Sequence, residues 1–248
     1  MFISKIRKGL PLLILLHGWE GSWQSWTPAI ELLKRDFSLI VPDLPGFGKN
    51  KLSKPLALAD YAKFVANLLK IQKIKKAVII GHSFGGAVAA KTAIDYPQLV
   101  SKLILVDAAL IRKKSVLKKF FIAAAHCGRN FFSLPAVNLL FPLARRLFYS
   151  LSRMDDSDYF RIGEDSFLKL TFSRIVEEDL TFQLNLIKTS TFIIWGGKDK
   201  ETPLKEGKEI HRAIKNSKLL FFPGAGHFSY LDDLPKFCSE IKKFIYAP

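Results

Sequence analysis

The sequence predicts an α/β fold, a mainly parallel sheet covered by helices on both faces, and three observations predict it. Short apolar runs alternate with amphipathic stretches along most of the 248 residues, the rhythm of repeated strand–helix units. One such run, Ala77 to Ile80, feeds directly into the box Gly81-His82-Ser83-Phe84-Gly85, with a helix-like stretch from Gly86 behind it. Two later runs each end in a single polar group, Asp199 after Phe192-Ile193-Ile194-Trp195-Gly196-Gly197-Lys198 and His227 after Phe221-Phe222-Pro223-Gly224-Ala225-Gly226. Apolar residues make up 49% of the chain, enough for a substantial core, so a disordered chain is excluded.

In chain order, the pattern places strands near Leu12–Leu16, Ser38–Val41, Ala77–Ile80, Leu103–Val106, Thr191–Trp195 and Lys218–Phe222. Between and after them it places helices at Gln24–Lys34, Leu58–Leu69, Gly86–Tyr96, Pro203–Ile214 and Pro235–Phe244, with Pro203 and Pro235 suited to first-turn positions. After Asp107 the rhythm breaks. From about Leu110 to Asp179 no β-rich run occurs, and Phe- and Leu-rich helical patches are punctuated by Pro135, Pro142 and Gly163. Charges and prolines interrupt every window there that is long enough to span a bilayer. Lys5, Arg7 and Lys8 before Leu10–Leu16 mimic a secretion signal, but the apolar run is short and leads into His17-Gly18-Trp19, so a buried strand is expected.

The Ser83 box carries chemistry because of where it sits. A residue at the apex of a sharp strand-to-helix turn is strained, and glycines two positions either side relieve the crowding. The turn lifts the serine oxygen clear of the sheet at a helix N-terminus, where free amides favour developing negative charge. By itself the box would arise by chance in roughly one chain in ten of this length. The strand ends around it therefore decide, and they supply an acid and a histidine in the order Ser, Asp, His.

With these segments, and with Pro42-Asp43-Leu44-Pro45-Gly46-Phe47-Gly48 after the second clear strand, the chain resembles an α/β-hydrolase with an inserted helical cap over nearly its whole length. The resemblance implies a core of residues 1–109 and 180–248 and a cap or lid of residues 110–179. It implies Ser83 as nucleophile, His227 as general base, Asp199 as the acid orienting it, and the amides of Trp19 and Phe84 as the oxyanion hole. Asp107 also ends a strand and is the competitor of Asp199, which is favoured because its surrounding sequence is the more family-like. Two departures stand out. Asn50 occupies a place where relatives often carry serine, and only Met1 to Gly9 precede the first oxyanion strand, so the usual opening β-hairpin is expected to lack an edge strand.

Other candidates receive structural readings. His17 and His82 are expected to tie loops together, Asp43 and Asn50 to stabilise their turn, and His126 and His211 have no partners at metal spacing. Cys127 and Cys238 lie far apart, which excludes a disulfide framework or thiolate metal site and fits a reducing cytoplasm. No metal, cofactor or phosphate-binding loop is expected.

The implied activity is hydrolysis of small to medium hydrophobic carboxylic esters through an acyl-enzyme. Lactone opening, thioester cleavage, haloperoxidase chemistry and carbon–carbon bond hydrolysis use the same triad and stay open, as does a binding protein without turnover. The His17-Gly18-Trp19 start and an Arg-rich cap also resemble esterases that act on pimeloyl methyl ester of acyl carrier protein, though Phe84 stands where those often show Leu. The formal charge of +16 is uneven: from Arg112 to Arg153 there are nine basic and no acidic residues. Such a surface suits an anionic membrane or an acidic carrier protein, while lysines spread over solvated faces are the plainer account. No nucleic-acid partner is expected.

Overall fold

The structure is a computed structural model that describes residues 1–4, 6–112 and 166–247. It divides into two compact units, one of Met1–Arg112 with Leu170–Pro248 and the other of Lys113–Lys169. The expectations for His126, Cys127 and the basic run from Lys113 to Arg153 lie outside the described residues.

In chain order the elements are β1 Phe2–Ile3, β2 Leu12–Leu16, α1 Thr27–Leu33, β3 Ser38–Val41, α2 Leu58–Ile71, β4 Ala77–His82, α3 Phe84–Asp95 and β5 Val100–Val106. There follow α4 Ser166–Glu177, β6 Thr191–Gly196, α5 Leu204–Ala213, β7 Ser217–Phe222, α6 Ser229–Asp232 and α7 Leu234–Tyr246. The seven strands form one sheet in the order β1-β3-β2-β4-β5-β6-β7. Only β1 runs antiparallel, pairing Phe2 with Val41 and Ile3 with Ile40. This two-residue strand forms one edge of the sheet, beside β3.

Strands β3, β4 and β6 are buried at every residue, β2 from Leu13 onward and β5 from Leu103 onward, because helices cover both faces of the sheet. This is why they read as unbroken apolar runs instead of alternating ones. The edge strand β7 is only partly covered. On one face Leu13, Leu15, Val78, Ile80, Ile104 and Ile194 meet Trp26, Phe37, Tyr230, Phe237 and Phe244 in a continuous core.

Several boundaries differ from expectation. The helix expected at Gln24–Lys34 is a 3-10 turn, Trp23–Trp26, followed by α1, and Pro28 in the first turn of α1 sets the backbone where one passes into the other. Pro203 caps α5 from outside in an extended conformation, whereas Pro235 sits in the first turn of α7. The excursion between β5 and β6 leaves and returns at one point, where the Leu180 amide donates to the Leu110 carbonyl at 3.1 Å.

Close approach at the start of α3 leaves no room for side chains. A Cβ on Gly81 would lie 2.1 Å from the Gly85 carbonyl oxygen, and one on Gly85 would lie 2.3 Å from that of Leu16. Both obstacles are backbone, which cannot rotate away as a side chain can. Gly85→Ala is therefore expected to lower stability by at least ~3 kcal/mol or prevent folding, because overpacking against fixed atoms forces the backbone apart. Urea unfolding of soluble variant and wild type measures this, and a midpoint within error of wild type would contradict it.

Candidate active site

Strand β4 ends at His82, and the chain turns at Ser83 into α3 with φ 51° and ψ −116°. That positive φ is costly for a residue with a Cβ and persists only where neighbours enforce it. Here the Ser83 amide donates to the Val106 carbonyl at 3.0 Å, while the Ser83 carbonyl accepts from Gly86 at 3.0 Å and Ala109 at 3.1 Å. The strain is thus held by the next strand of the sheet.

The structure brings Ser83, His227 and Asp199 together from the C-terminal ends of β4, β7 and β6. Ser83 Oγ lies 3.0 Å from His227 Nε2, and His227 Nδ1 donates to Asp199 Oδ2 at 2.9 Å. Asp199 is further fixed by the Thr202 hydroxyl on Oδ2 and the amides of Glu201 and Thr202 on Oδ1. Burial alone would raise its pKa, but the bond and charge of His227 and the Thr202 donors outweigh it, so the carboxyl stays ionised below its usual range. For His227, burial pulls the pKa down. The Asp199 bond and charge, then the charges of Glu201 and Asp107, pull harder, and the net direction is up from 6.5. With Nδ1–H given to Asp199, the neutral ring presents the Nε2 lone pair to the serine hydroxyl, the arrangement a general base needs.

Asp107, the alternative acid, is differently engaged. It is fully buried, accepts from the Gly196 amide at 2.7 Å, and accepts from both the amide and hydroxyl of Ser229 at 3.1 and 2.6 Å. Gly196 ends β6 and Ser229 follows His227 by two residues, so this carboxyl ties the Asp199 and His227 loops together. Burial is the largest influence on it and, despite its donors, pushes its pKa up to about 7.

His17 and His82 do hold loops. His17 Nδ1 donates to the Gly18 carbonyl at 2.8 Å and Nε2 accepts the Leu44 amide at 3.0 Å, linking the turns after β2 and β3. His82 Nε2 donates to the His227 carbonyl at 2.7 Å, and burial depresses its pKa to about 3, so it is neutral. Asp43 accepts from the Trp23 amide, and Asn50 donates to the Asp43 carbonyl within the turn. His211 bonds to Ser217 Oγ, outside this cluster. Among the described residues no group of His, Cys, Asp and Glu is arranged to hold a metal ion.

The two expected oxyanion residues lie beside the serine. Phe84 opens α3, so its amide is among those without an intrahelical acceptor. The loop carrying Trp19 passes so close that a Cβ on Gly18 would be 3.4 Å from the Ser83 Cβ. The Trp19 ring packs edge-on against Phe47 and Phe84, with centroids 4.9 and 5.2 Å away, and tilts against Phe172 of α4 at 5.0 Å. The reactive cluster therefore has an aromatic, apolar flank.

Sequence reasoning missed Glu201. Its Oε2 stands 3.2 Å from His227 Nε2, although the side chain is 68% exposed. The only signal was its place two residues after Asp199, and spacing does not say which way a loop side chain turns.

Comparison with known proteins agrees with this architecture. Residues 11–234 match the family described as alpha/beta hydrolase fold. The chain is 30% identical over 268 residues to the AB hydrolase superfamily protein YisY of Bacillus subtilis, covering 98% of this chain and 94% of that one. It is 28% identical over 258 residues to a pimeloyl-[acyl-carrier protein] methyl ester esterase of Wigglesworthia glossinidia brevipalpis, covering 97% and 95%. Among solved structures, the enol-lactonase of Burkholderia xenovorans superposes with a TM-score of 0.73 at 19% identity, covering 99% and 95%.

Asp107 gives a pH signature. Its folded pKa of about 7 exceeds the ordinary 3.8, so between those values the folded protein keeps a proton that the unfolded chain has released. Its contribution favours folding at the acid end of that window and declines as pH rises through it. Asp107→Asn removes this titration, so the stability of the variant relative to wild type is expected to improve from about pH 4.5 to about pH 7.5, values that bracket most of that window. Urea midpoints at the two pH values test it, and a constant difference would sink the idea.

Proposed function

The chain belongs to the α/β-hydrolase fold family, and from that premise we propose that it is a serine hydrolase cleaving small to medium hydrophobic carboxylic esters. The observation that carries the reading is the continuous contact from Ser83 Oγ through the His227 ring to Asp199. Ser83 attacks the ester carbonyl while His227 Nε2 takes its proton. His227 then returns that proton to the departing alcohol, and water activated by the same nitrogen releases the acid. The amides of Trp19 and Phe84 would receive the oxyanion, and Asp199 keeps the imidazole in the required tautomer and stabilises it when charged. The aromatic flank of Trp19, Phe47, Phe84 and Phe172 suits an apolar acyl group.

A second reading is hydrolysis of a methyl ester carried on acyl carrier protein. It is favoured by the similarity to the Wigglesworthia esterase over nearly the full length of both chains. The basic stretch beginning at Arg112 would suit an acidic carrier. A panel of p-nitrophenyl esters, lactones, and free and carrier-linked methyl esters separates these readings by kcat/KM.

Ser83→Ala is expected to fold and to lose on the order of 10⁴-fold or more in kcat, together with labelling by a fluorophosphonate, because members of a triad act as a unit. Asp199→Asn should cost on the order of 10³- to 10⁴-fold by leaving His227 in the wrong tautomer. Asp107→Asn should cost far less, and the reverse ranking would make Asp107 the orienting acid.

The working base is neutral His227, whose pKa is raised. The acid limb of kcat/KM is thus expected to have its midpoint above 6.5 and to flatten at higher pH. A midpoint below that value, with chemistry limiting, would contradict the assignment.

A further inference from the structure

Glu201 has no part in the triad, yet its carboxylate reaches the same nitrogen that would exchange a proton with Ser83. Its own backbone is held by that triad. The Glu201 amide donates to Asp199 Oδ1 at 2.9 Å, so the carboxylate that orients His227 at Nδ1 also fixes the main chain from which Glu201 reaches Nε2. The imidazole is thereby bracketed by carboxylates, Asp199 at one nitrogen and Glu201 at the other.

That bracket has two chemical consequences. A carboxylate beside the Nε2 lone pair repels it, whereas the same carboxylate attracts an imidazolium Nε2–H, so Glu201 favours the protonated ring. In ester cleavage Nε2 must also come within hydrogen-bond reach, ~3 Å, of the leaving oxygen, which puts that oxygen no more than ~6 Å from the Glu201 carboxylate. A negative charge at that separation disfavours an anionic leaving group and favours a cationic one, to a degree limited by exposure to solvent.

Resting on the reading of Ser83, His227 and Asp199 as a triad, we propose that Glu201 is a positioning and specificity residue. It faces the Nε2 edge of His227 and selects esters whose leaving alcohol is neutral or cationic. Other charged and titratable groups facing His227 are Asp199, which is anionic, Asp107, which passes from neutral to anionic at about pH 7, and His82, which is neutral. Glu201 alone among these approaches Nε2 and is open to solvent, which allows an incoming substrate to displace it.

The test needs no knowledge of the natural substrate. Ser83 is phosphonylated by two compounds that share one phosphonyl group, one with a thiocholine leaving group and the other with the uncharged isostere 3,3-dimethylbutanethiol. The serine oxygen forms a bond to phosphorus as the phosphorus–sulfur bond breaks, the thiolate leaves, and His227 takes the serine proton. Second-order rates are measured at low salt from about pH 5 to about pH 9, a span that covers histidine titration, for wild type, Glu201→Gln and Glu201→Lys. In Glu201→Gln the acid limb should fall by ~0.5 pH unit, and the preference for the cationic compound should drop roughly threefold, the scale of an exposed charge pair. Glu201→Lys should move both further in the same directions. If wild-type Ser83 reacts but either readout stays put in both variants, Glu201 has no such role and the triad reading stands. If wild-type Ser83 is not phosphonylated at all, the triad reading fails and takes this inference with it.

Discussion

A single buried carboxylate holds the working edge of this sheet together. Asp107 continues β5 with a positive φ of 46° and accepts three hydrogen bonds, from Gly196 at the end of β6 and from Ser229 just past His227. The same stretch of chain reaches the serine, since the Ala109 amide donates to the Ser83 carbonyl. Strand ends fray when nothing crosses between them. Here one side chain, with no access to water, joins the end of its own strand to the two loops that carry Asp199 and His227. Its raised pKa is the electrostatic cost of using a carboxyl as an interior tie, moderated by its donors.

That tie explains how groups 144 and 28 residues apart in sequence meet within hydrogen-bond distance. Parallel strands point all their C-terminal ends to one edge, and side chains leaving that edge share a small region. The imidazole is then located by several contacts at once: Asp199 on Nδ1, the ring and Nε2–H of His82 against its ring and carbonyl, and Asp107 through Ser229. The His82 and Asp107 bonds fix the backbone that carries the ring, and the Asp199 bond with the His82 ring contact sets the ring's orientation before any substrate arrives.

Much of this was legible in the sequence for a definite reason. Strands covered on both faces are continuous apolar runs, so β2, β3, β4 and β6 announce themselves, and the glycines flanking Ser83 report a close approach that only glycine permits. What escaped reading depends on contacts between distant segments. The early start of β5 at Val100, which includes exposed Ser101 and partly exposed Lys102, follows from pairing with β4 and not from local hydropathy. The short helix Ser229–Asp232 is set by its tie to Asp107, and spacing alone made Asp107 an alternative acid when its bonds run to Gly196 and Ser229. Glu201 gave no signal of its own, because sequence says nothing of the direction in which a loop carboxylate turns.

The chain leaves the sheet after β5 and re-enters before β6 through a narrow neck, closed by the bond from the Leu180 amide to the Leu110 carbonyl. Strands β5 and β6 are themselves directly paired, Leu103 against Thr191 through Val106 against Ile194. All seven strands of the described sheet therefore lie outside the stretch from Leu110 to Leu180. The entropic cost of closing such a loop grows only with the logarithm of its length, so doubling the excursion adds about 0.6 kcal/mol. The spacing of the strand ends that carry Asp107 and Gly196, and with it the footing of the Asp199 loop, is therefore set by contacts made outside that excursion.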